Sequence, residues 1–203
     1  MQLTLPGELV RRAAALCGSG RALLGIAGAP GAGKSTLAAA LVDALAGQAV
    51  LVPMDGFHLA DAELDRLGRR DRKGAPDTFD AAGYVHLLGR LRDQEDDVVW
   101  APTFARQQEQ AVAGALAVPR DVPLVVTEGN YLLADGGFAP VRDLLDETWF
   151  LDVDPVQRRQ RLVARHVQHG RSPAEAEQWV ASDDRNAALV EATRDRADLA
   201  VRL

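Results

Sequence analysis

The sequence feature that most constrains the fold is a glycine-rich segment at residues 28–36. It fits the P-loop pattern of glycine, four residues, glycine, lysine and a hydroxyl residue, and it consists of Gly28, Ala29, Pro30, Gly31, Ala32, Gly33, Lys34, Ser35 and Thr36. An apolar run precedes it at 22–27 and a helix-prone run follows at 37–41. This order of strand, loop and helix predicts an anion-binding loop at the start of a helix.

The residue types in this loop predict how a nucleotide would be bound. Glycines let backbone N–H groups turn toward a phosphate that a Cβ would keep away. Lys34 would bridge the terminal phosphates of ATP, and the Ser35 hydroxyl would be a ligand of Mg²⁺. An ordinary loop rich in alanine and glycine is the alternative, and the flanking strand and helix favour the nucleotide site.

Composition excludes several other classes of protein. A net charge of −6 argues against a surface that binds nucleic acid, and a single cysteine excludes an intramolecular disulfide or a cysteine metal cluster. No apolar run is long enough to cross a membrane, and the first twelve residues do not resemble a signal peptide. We therefore expect a cytoplasmic protein whose partner is a small molecule; whether it forms a homodimer stays open.

Apolar runs that alternate with helical patterns predict an α/β fold. We expect strands at 22–27, 48–53, 123–129, 148–153 and 198–203, and helices at 3–16, 34–45, 81–91, 155–170, 173–181 and 184–194. Residues 98–118 favour a small hairpin-like insert, and 59–79 favour a loop over the site. The pattern indicates a P-loop NTPase three-layer sandwich with a mostly parallel central sheet.

Two carboxylates follow predicted buried strands, where ligands bind in open α/β sheets. Asp55 is placed to accept the proton of an attacking hydroxyl or to orient it, although an aspartate that begins a turn before Gly56 explains the spacing equally well. Glu128 is placed to hold Mg²⁺ directly or through water, and its alternative is a hydrated loop glutamate.

An arginine-rich helix is predicted to close over the nucleotide as a helical lid at about 155–172. Arg158, Arg161 and Arg165 have the spacing i, i+3 and i+7, which places them on one helix face. Guanidinium groups can neutralise the charge that develops on transferred phosphate. A solvated surface helix is the alternative.

Residues 56–106 offer groups suited to a small acceptor. The polar candidates are His58, Arg72, Lys73, Tyr84 and Arg106, and the apolar walls would come from Phe57, Phe79 and Phe104. Such a mixture suits a sugar, nucleoside or hydroxy-acid. Adjacent Arg72 and Lys73 point to a negative charge on the acceptor, or equally to the phosphates of the nucleotide.

The order of these motifs resembles the superfamily of uridine kinase, phosphoribulokinase and bacterial pantothenate kinase, and within it the branch labelled fructose transport system kinase. The resemblance is carried by the P-loop, by Met-Asp-Gly-Phe-His at 54–58, by Arg-Lys-Gly-Ala-Pro-Asp-Thr-Phe-Asp at 72–80, by Thr-Glu-Gly-Asn-Tyr at 127–131 and by the arginine helix. It implies Asp55 as the catalytic base, Glu128 near the metal and Arg161 and Arg165 as lid arginines. It carries over no particular acceptor.

These observations predict one P-loop kinase domain over residues 1–203. The expected activity moves the γ-phosphate of ATP, with Mg²⁺, to a hydroxyl of a small polar metabolite such as a sugar, nucleoside or pantothenate-like alcohol. A P-loop GTPase would need Asn-Lys-x-Asp and an ABC ATPase its own signature, and both motifs are absent. A regulatory ATP-binding protein without catalysis remains the alternative.

Overall fold

A five-stranded parallel sheet forms the centre of the computed structural model, which describes residues 5–18, 20–168 and 170–202. Its strands are β1 (Ala22–Ala27), β2 (Ala49–Pro53), β5 (Leu124–Gly129), β6 (Glu147–Asp152) and β7 (Leu199–Arg202), and a separate antiparallel hairpin consists of β3 (Val98–Ala105) and β4 (Gln110–Pro119). The sheet order is β2-β5-β1-β6-β7. The strand that leads into the P-loop therefore lies in the middle of the sheet.

Helices cover both faces of this sheet. They are α1 (Gly7–Ala15), α2 (Lys34–Ala44), α3 (Asp61–Arg66), α4 (Ala81–Asp93), α5 (Val141–Leu144), α6 (Pro155–Gln168) and α7 (Pro173–Glu191). Successive β1 side chains point to opposite faces: Leu23 packs with α4, α5, α7 and the hairpin, whereas Leu24 and Ile26 pack with α1 and α2. Both faces of β1 are buried, which is why it is apolar throughout. The predicted three-layer α/β sandwich is confirmed.

Several predicted boundaries were wrong. The segments 173–181 and 184–194 form one continuous helix that ends at Glu191, because the polar run at its centre does not break it. The insert is a hairpin with strands of 8 and 10 residues, much longer than the two short runs predicted for it. Helix α3 lies within the segment expected to be a loop.

The two ends of the chain differ slightly from expectation. Helix α1 begins at Gly7, after Pro6, and the expected start at residue 3 lies outside the described residues. The expected last strand residue, 203, also lies outside them. Within the described part of the chain, no helix combines the length and the apolar character that a bilayer crossing requires.

Candidate active site

The carboxyl ends of three neighbouring strands bring the predicted functional residues together. Strand β1 leads into the P-loop, and its Ala27 lies beside Gly129 of β5. On the other side of β5, Glu128 lies beside Pro53, two residues before Asp55. Because the strands are parallel, the P-loop, Asp55 and Glu128 all lie at the C-terminal ends of the strands, on the same side of the sheet. Their positions after apolar runs predicted this placement.

The P-loop has the backbone of an anion-binding loop. Gly28, Gly31 and Gly33 have positive φ angles of 155°, 80° and 99°. A Cβ on Gly31 would lie 2.6 Å from Cγ of Leu162 and 3.0 Å from the carbonyl oxygen of Arg158, so α6 packs directly on the loop. The loop then enters α2 at a first turn that no side chain caps. These features fit the phosphates of a nucleotide.

Lys34 is a buried ammonium whose hydrogen-bond partners are neutral. Its Nζ donates to Oδ1 of Asn130 at 2.7 Å and to the carbonyl oxygen of Ala29 at 3.2 Å. Burial lowers the pKa of Lys34, and the negative charges of Glu128 and Asp55 oppose that shift. A desolvated cation held by neutral acceptors is suited to receive a phosphate. Sequence reasoning assigned no role to Asn130, since no local pattern signals its contact with Lys34.

Ser35 and Glu128 form the predicted metal-side pair. The Ser35 hydroxyl donates to Oε1 of Glu128 at 2.9 Å. Glu128 is 5% exposed, and burial raises the pKa of its carboxyl group while Lys34 opposes the rise. Among the described residues, no three His, Cys, Asp or Glu side chains are grouped to hold a metal by themselves. The pair instead fits Mg²⁺, which keeps waters and phosphate oxygens among its ligands.

Asp55 lies in a short 3₁₀ turn (Met54–Phe57) that is fixed on two sides. A Cβ on Gly56 would lie 2.5 Å from the carbonyl oxygen of Pro102 in β3, and one on Gly129 would lie 2.6 Å from Cβ of Met54. Both glycines are therefore needed for close approach of the backbones. The turn is wedged between β5 and the hairpin, and this contact fixes where the Asp55 carboxylate is presented.

The charge of Asp55 influences the pKa values of three neighbouring groups. Its negative charge raises the pKa of Lys34, Glu128 and Arg165, although burial is the largest influence on all three. Arg106 is exposed and directly follows β3. Its positive charge lowers the pKa of Glu128 and that of Arg165. Packing joins the same elements: α6 lies against the P-loop, and the turn at Asp55 lies between β5 and the hairpin.

The arginines on the predicted lid face have different contacts. Arg158 is buried, donates to the carbonyl oxygen of Pro30 at 3.3 Å and forms an ion pair with Asp184 of α7. Arg161 donates to the carbonyl oxygen of Ala32 at 3.3 Å. Arg158 thus fastens α6 to the P-loop and to α7, and Arg161 reaches the loop from the same side.

Two of the predicted acceptor residues lie on the hairpin side of the site. The His58 ring packs 4.0 Å from the ring of Phe79 and 4.9 Å from that of Phe104, measured between centroids. Lys73 donates to Oδ1 of Asp61 at 2.6 Å and lies over the Phe104 ring at 5.3 Å. Burial lowers the pKa of His58. His58, Phe79, Phe104 and Lys73 thus form an aromatic wall on the hairpin side; that it binds an acceptor stays a prediction.

Tyr84 and Arg72, two more of the five predicted acceptor residues, lie away from this aromatic wall. Tyr84 is fully buried, and its hydroxyl shares a 2.7 Å hydrogen bond with Oγ1 of Thr127 behind the Phe57 ring. Arg72 is exposed and pairs with Asp77 at 2.9 Å. The structure places Tyr84 in the core beneath the pocket wall and Arg72 at the outer edge of the loop.

A phosphate-binding loop at the edge of a parallel sheet, with an arginine helix packed on it, defines the P-loop kinase fold. Residues 23–189 match the model of a protein family described as an AAA domain. The chain belongs to this family. The predicted resemblance to the superfamily that includes uridine kinase and pantothenate kinase is confirmed by relatives that carry those two names. A phosphoribulokinase structure at 12% identity shows the same fold.

Three relatives illustrate the range of that similarity. A Schizosaccharomyces pombe protein provisionally named a uridine kinase is 34% identical over 82% of this chain and 74% of its own length. A Clavibacter sepedonicus pantothenate kinase is 32% identical over 64% of this chain and 43% of its own length. A crystal structure from a Silicibacter species, provisionally described as a fructose transport system kinase, superposes with a TM-score of 0.88 at 36% identity, covering 98% of this chain and all of that one.

Proposed function

We propose that this chain is an ATP-dependent kinase that transfers the γ-phosphate of ATP to a hydroxyl group of a small polar metabolite. The observation that carries the proposal is the meeting of the P-loop with the carboxyl ends of two strands: Lys34 donates to Asn130, Ser35 donates to Glu128, and Asp55 follows Pro53, which lies beside Glu128. A P-loop that only binds nucleotide has no need of a carboxylate fixed opposite its lysine. The kinase names of the relatives support the same class of reaction.

The P-loop side of the pocket supplies nucleotide binding in this proposal. Residues 28–36 surround the phosphates, and Lys34 exchanges its neutral partners, Asn130 and Ala29, for phosphate oxygens. Ser35 and Glu128 would hold Mg²⁺, which neutralises negative charge on the phosphates when it is bound. The hydrogen bond between Ser35 and Glu128 holds the two side chains next to each other.

Asp55 and the lid arginines supply the chemistry. As the acceptor oxygen forms a bond to the γ-phosphorus and the bond to the bridging oxygen breaks, the acceptor proton passes to the Asp55 carboxylate. Arg161 and Arg165 would stabilise charge on the transferred group from the side of α6. The pocket wall of His58, Lys73 and Phe104 would receive the acceptor.

Replacing Asp55 tests this proposal. The substitution Asp55→Asn keeps the size of the side chain but removes its ability to accept a proton. We expect the Kd for ATP to change by less than about threefold and kcat to fall on the order of a hundredfold. The measurement is ADP formation with ATP and Mg²⁺ against sugars, nucleosides and pantothenate-like alcohols.

The matched control is Asp96→Asn, because Asp96 is half-exposed and pairs with Arg90 on the surface. This variant should keep wild-type kcat. ATP binding without turnover on any acceptor, unchanged by Asp55→Asn, would instead identify a regulatory ATP-binding protein.

A further inference from the structure

Lys73 is a candidate for binding the acceptor, yet its ammonium group is already bound within the protein. Its Nζ donates to Oδ1 of Asp61 at 2.6 Å and to the carbonyl oxygen of Glu109 at 2.5 Å, and it lies 5.3 Å from the centre of the Phe104 ring. The Lys73 side chain is only 12% exposed. An ammonium group has three N–H donors, so Lys73 keeps at most one for a ligand.

The contacts of Lys73 join three segments that are far apart in the sequence. Asp61 begins α3, Lys73 follows a short 3₁₀ turn, and Glu109 belongs to the turn between β3 and β4. The second carboxylate oxygen of Asp61 forms an ion pair with Arg70 at 2.8 Å, and the Asp61 backbone N–H donates to Oε1 of Gln110 at 3.3 Å. We call the contacts of Asp61 and Lys73 with Glu109 and Gln110 the hairpin clamp.

The hairpin depends on contacts with the rest of the chain, because its two strands form a sheet of their own. An isolated pair of strands is only marginally stable in water. The turn also contains Glu109 at a φ of 53°, a left-handed conformation that residues other than glycine adopt at a cost. The carbonyl oxygen that Lys73 binds belongs to this residue. The hairpin clamp therefore stabilises the turn at its strained position.

Printed contacts continue from the hairpin clamp to the proposed catalytic base. The Phe104 ring, which lies against the Lys73 ammonium group, packs 4.9 Å from the His58 ring. His58 in turn donates from Nδ1 to the carbonyl oxygen of Asp55 at 2.9 Å. The position of the hairpin turn therefore affects how the rings of the aromatic wall are held beside Asp55.

We infer that Lys73 is a positioning residue: with Asp61 it holds the hairpin turn at 106–109 so that the aromatic rings are fixed beside Asp55, and it does not bind the acceptor itself. This inference rests on the proposed kinase function and refines the part that one residue has in it. The neighbouring cation, Arg72, is also taken, since it forms an ion pair within its own loop. The acceptor therefore needs no negative charge at this loop.

Removing the carboxylate of the hairpin clamp separates positioning from direct binding. In Asp61→Asn the Lys73 ammonium group remains but loses its charged partner. Asp61→Asn and Lys73→Met should both raise the KM for the acceptor about tenfold and change the KM for ATP less than about twofold, because only the acceptor side is displaced. The double variant removes both charges of the pair and should show the same rise, because the two substitutions break one contact.

Acceptors that differ in charge sharpen the comparison. We would measure glycerol with D-glycerate, D-glucose with D-gluconate and pantothenol with pantothenate, at saturating ATP. Positioning predicts that Lys73→Met raises the KM of neutral and anionic acceptors by the same factor, within about twofold. Direct binding predicts that only the anionic acceptors are affected. It also predicts that Asp61→Asn, which frees the ammonium group, lowers their KM.

Amide hydrogen exchange tests the hairpin clamp without any acceptor. Residues 103–112 should exchange about tenfold faster in Asp61→Asn and Lys73→Met than in the wild type, while β5 keeps its protection. The controls are Glu63→Gln and Arg66→Met, which break an exposed ion pair on α3 and should change neither exchange nor KM. Faster exchange in a protein that phosphorylates none of the acceptors would contradict the kinase proposal yet support the hairpin clamp.

Three results would overturn the inference. The first is unchanged exchange of residues 103–112 in both variants. The second is an acceptor KM that rises in Lys73→Met but is unchanged or lower in Asp61→Asn, which would identify Lys73 as a ligand of the acceptor. The third is a lower Tm in both variants with an unchanged acceptor KM, which would identify an ion pair that only stabilises the fold.

Discussion

At Gly31 the chain has no room for a side chain, and this single position joins the P-loop to the lid. Its φ of 80° is in the left-handed region, and α6 lies against its Cα from the outside. A phosphate would approach the same loop from the inside. Gly31 therefore permits both the positive φ of the loop and the close packing of α6. A match to the P-loop pattern reveals only the first of these.

We expect Gly31→Ala to lower the free energy of unfolding by about 2 kcal/mol or more, because it adds a contact with Leu162 to the strain of a positive φ. The control is Gly68→Ala, at a φ of 64° with open space around the site. It should lose only the strain contribution. Urea unfolding measures both variants, and equal losses would show that the contact with α6 has no energetic weight.

His58 should make stability depend on pH. Burial lowers its pKa below the ordinary value of 6.5, so the unfolded chain binds the proton more readily than the folded one. The stability contributed by neutral His58 is complete above about pH 6.5 and is lost as the pH falls through the lowered pKa. In His58→Gln the free energy of unfolding should fall less between about pH 7 and pH 5. The exposed His86, replaced in the same way, is the control, and an identical pH slope in His58→Gln and wild type would contradict this reasoning.

At the scale of elements, the arginines on one face of α6 have different surroundings. Arg158 is buried between Pro30 and Asp184 and serves packing. Arg161 reaches the loop at Ala32, and the pKa of Arg165 responds to the charges of Asp55 and Arg106. The spacing i, i+3 and i+7 predicts that the three arginines share one helix face. Their different contacts depend on which element packs against each turn of the helix, and the spacing does not reveal that.

Arg161→Ala and Arg165→Ala should therefore lower kcat about tenfold to a hundredfold with a smaller effect on the Kd for ATP, since transition-state charge is greater than ground-state charge. Lysine at either position should restore activity only in part. Arg159→Ala, which removes a half-exposed arginine of the same helix, is the control. If none of the three variants changed kcat, Arg161 and Arg165 would only pack α6 on the P-loop and would take no part in the reaction.

At the scale of the whole molecule, binding at the sheet edge is linked to folding. The two apolar cores on either side of the sheet hold β1, β5 and α2 in place, and these elements carry the P-loop, Glu128 and Lys34. A ligand that binds only this assembled edge stabilises the entire chain.

ATP with Mg²⁺ at about one hundred times its Kd should raise the free energy of unfolding by about 2.7 kcal/mol, and hence Tm by about 5–10 °C. Lys34→Ala should abolish most of this rise because it removes the cation that faces the terminal phosphates. The chain has one other lysine, and Lys73→Ala should keep the rise, since Lys73 pairs with Asp61 on the acceptor side. Thermal unfolding with and without nucleotide tests both, and a full shift in Lys34→Ala would contradict the site.

The sequence by itself determined the local elements and the end of the sheet at which the candidate site residues lie. Glycine spacing located the P-loop, and apolar runs located the five parallel strands. The positions of Asp55 and Glu128 directly after such runs marked them as candidate site residues. These features depend on residues that are close together in the sequence, so sequence patterns are enough to predict them. The roles of Asp55 and of the lid arginines remain predictions until the variants are measured.

Tertiary structure alone decided which distant groups meet. It brought Asn130 to Lys34, placed Tyr84 in the core, and joined the two helices predicted at 173–181 and 184–194 into one. Such contacts join residues far apart in the sequence: 96 positions for Lys34 and Asn130, and 129 for Arg161 and Ala32. Side-chain direction at that range is set by how whole elements pack, because no local pattern of polar residues distinguishes a buried partner from a solvated one.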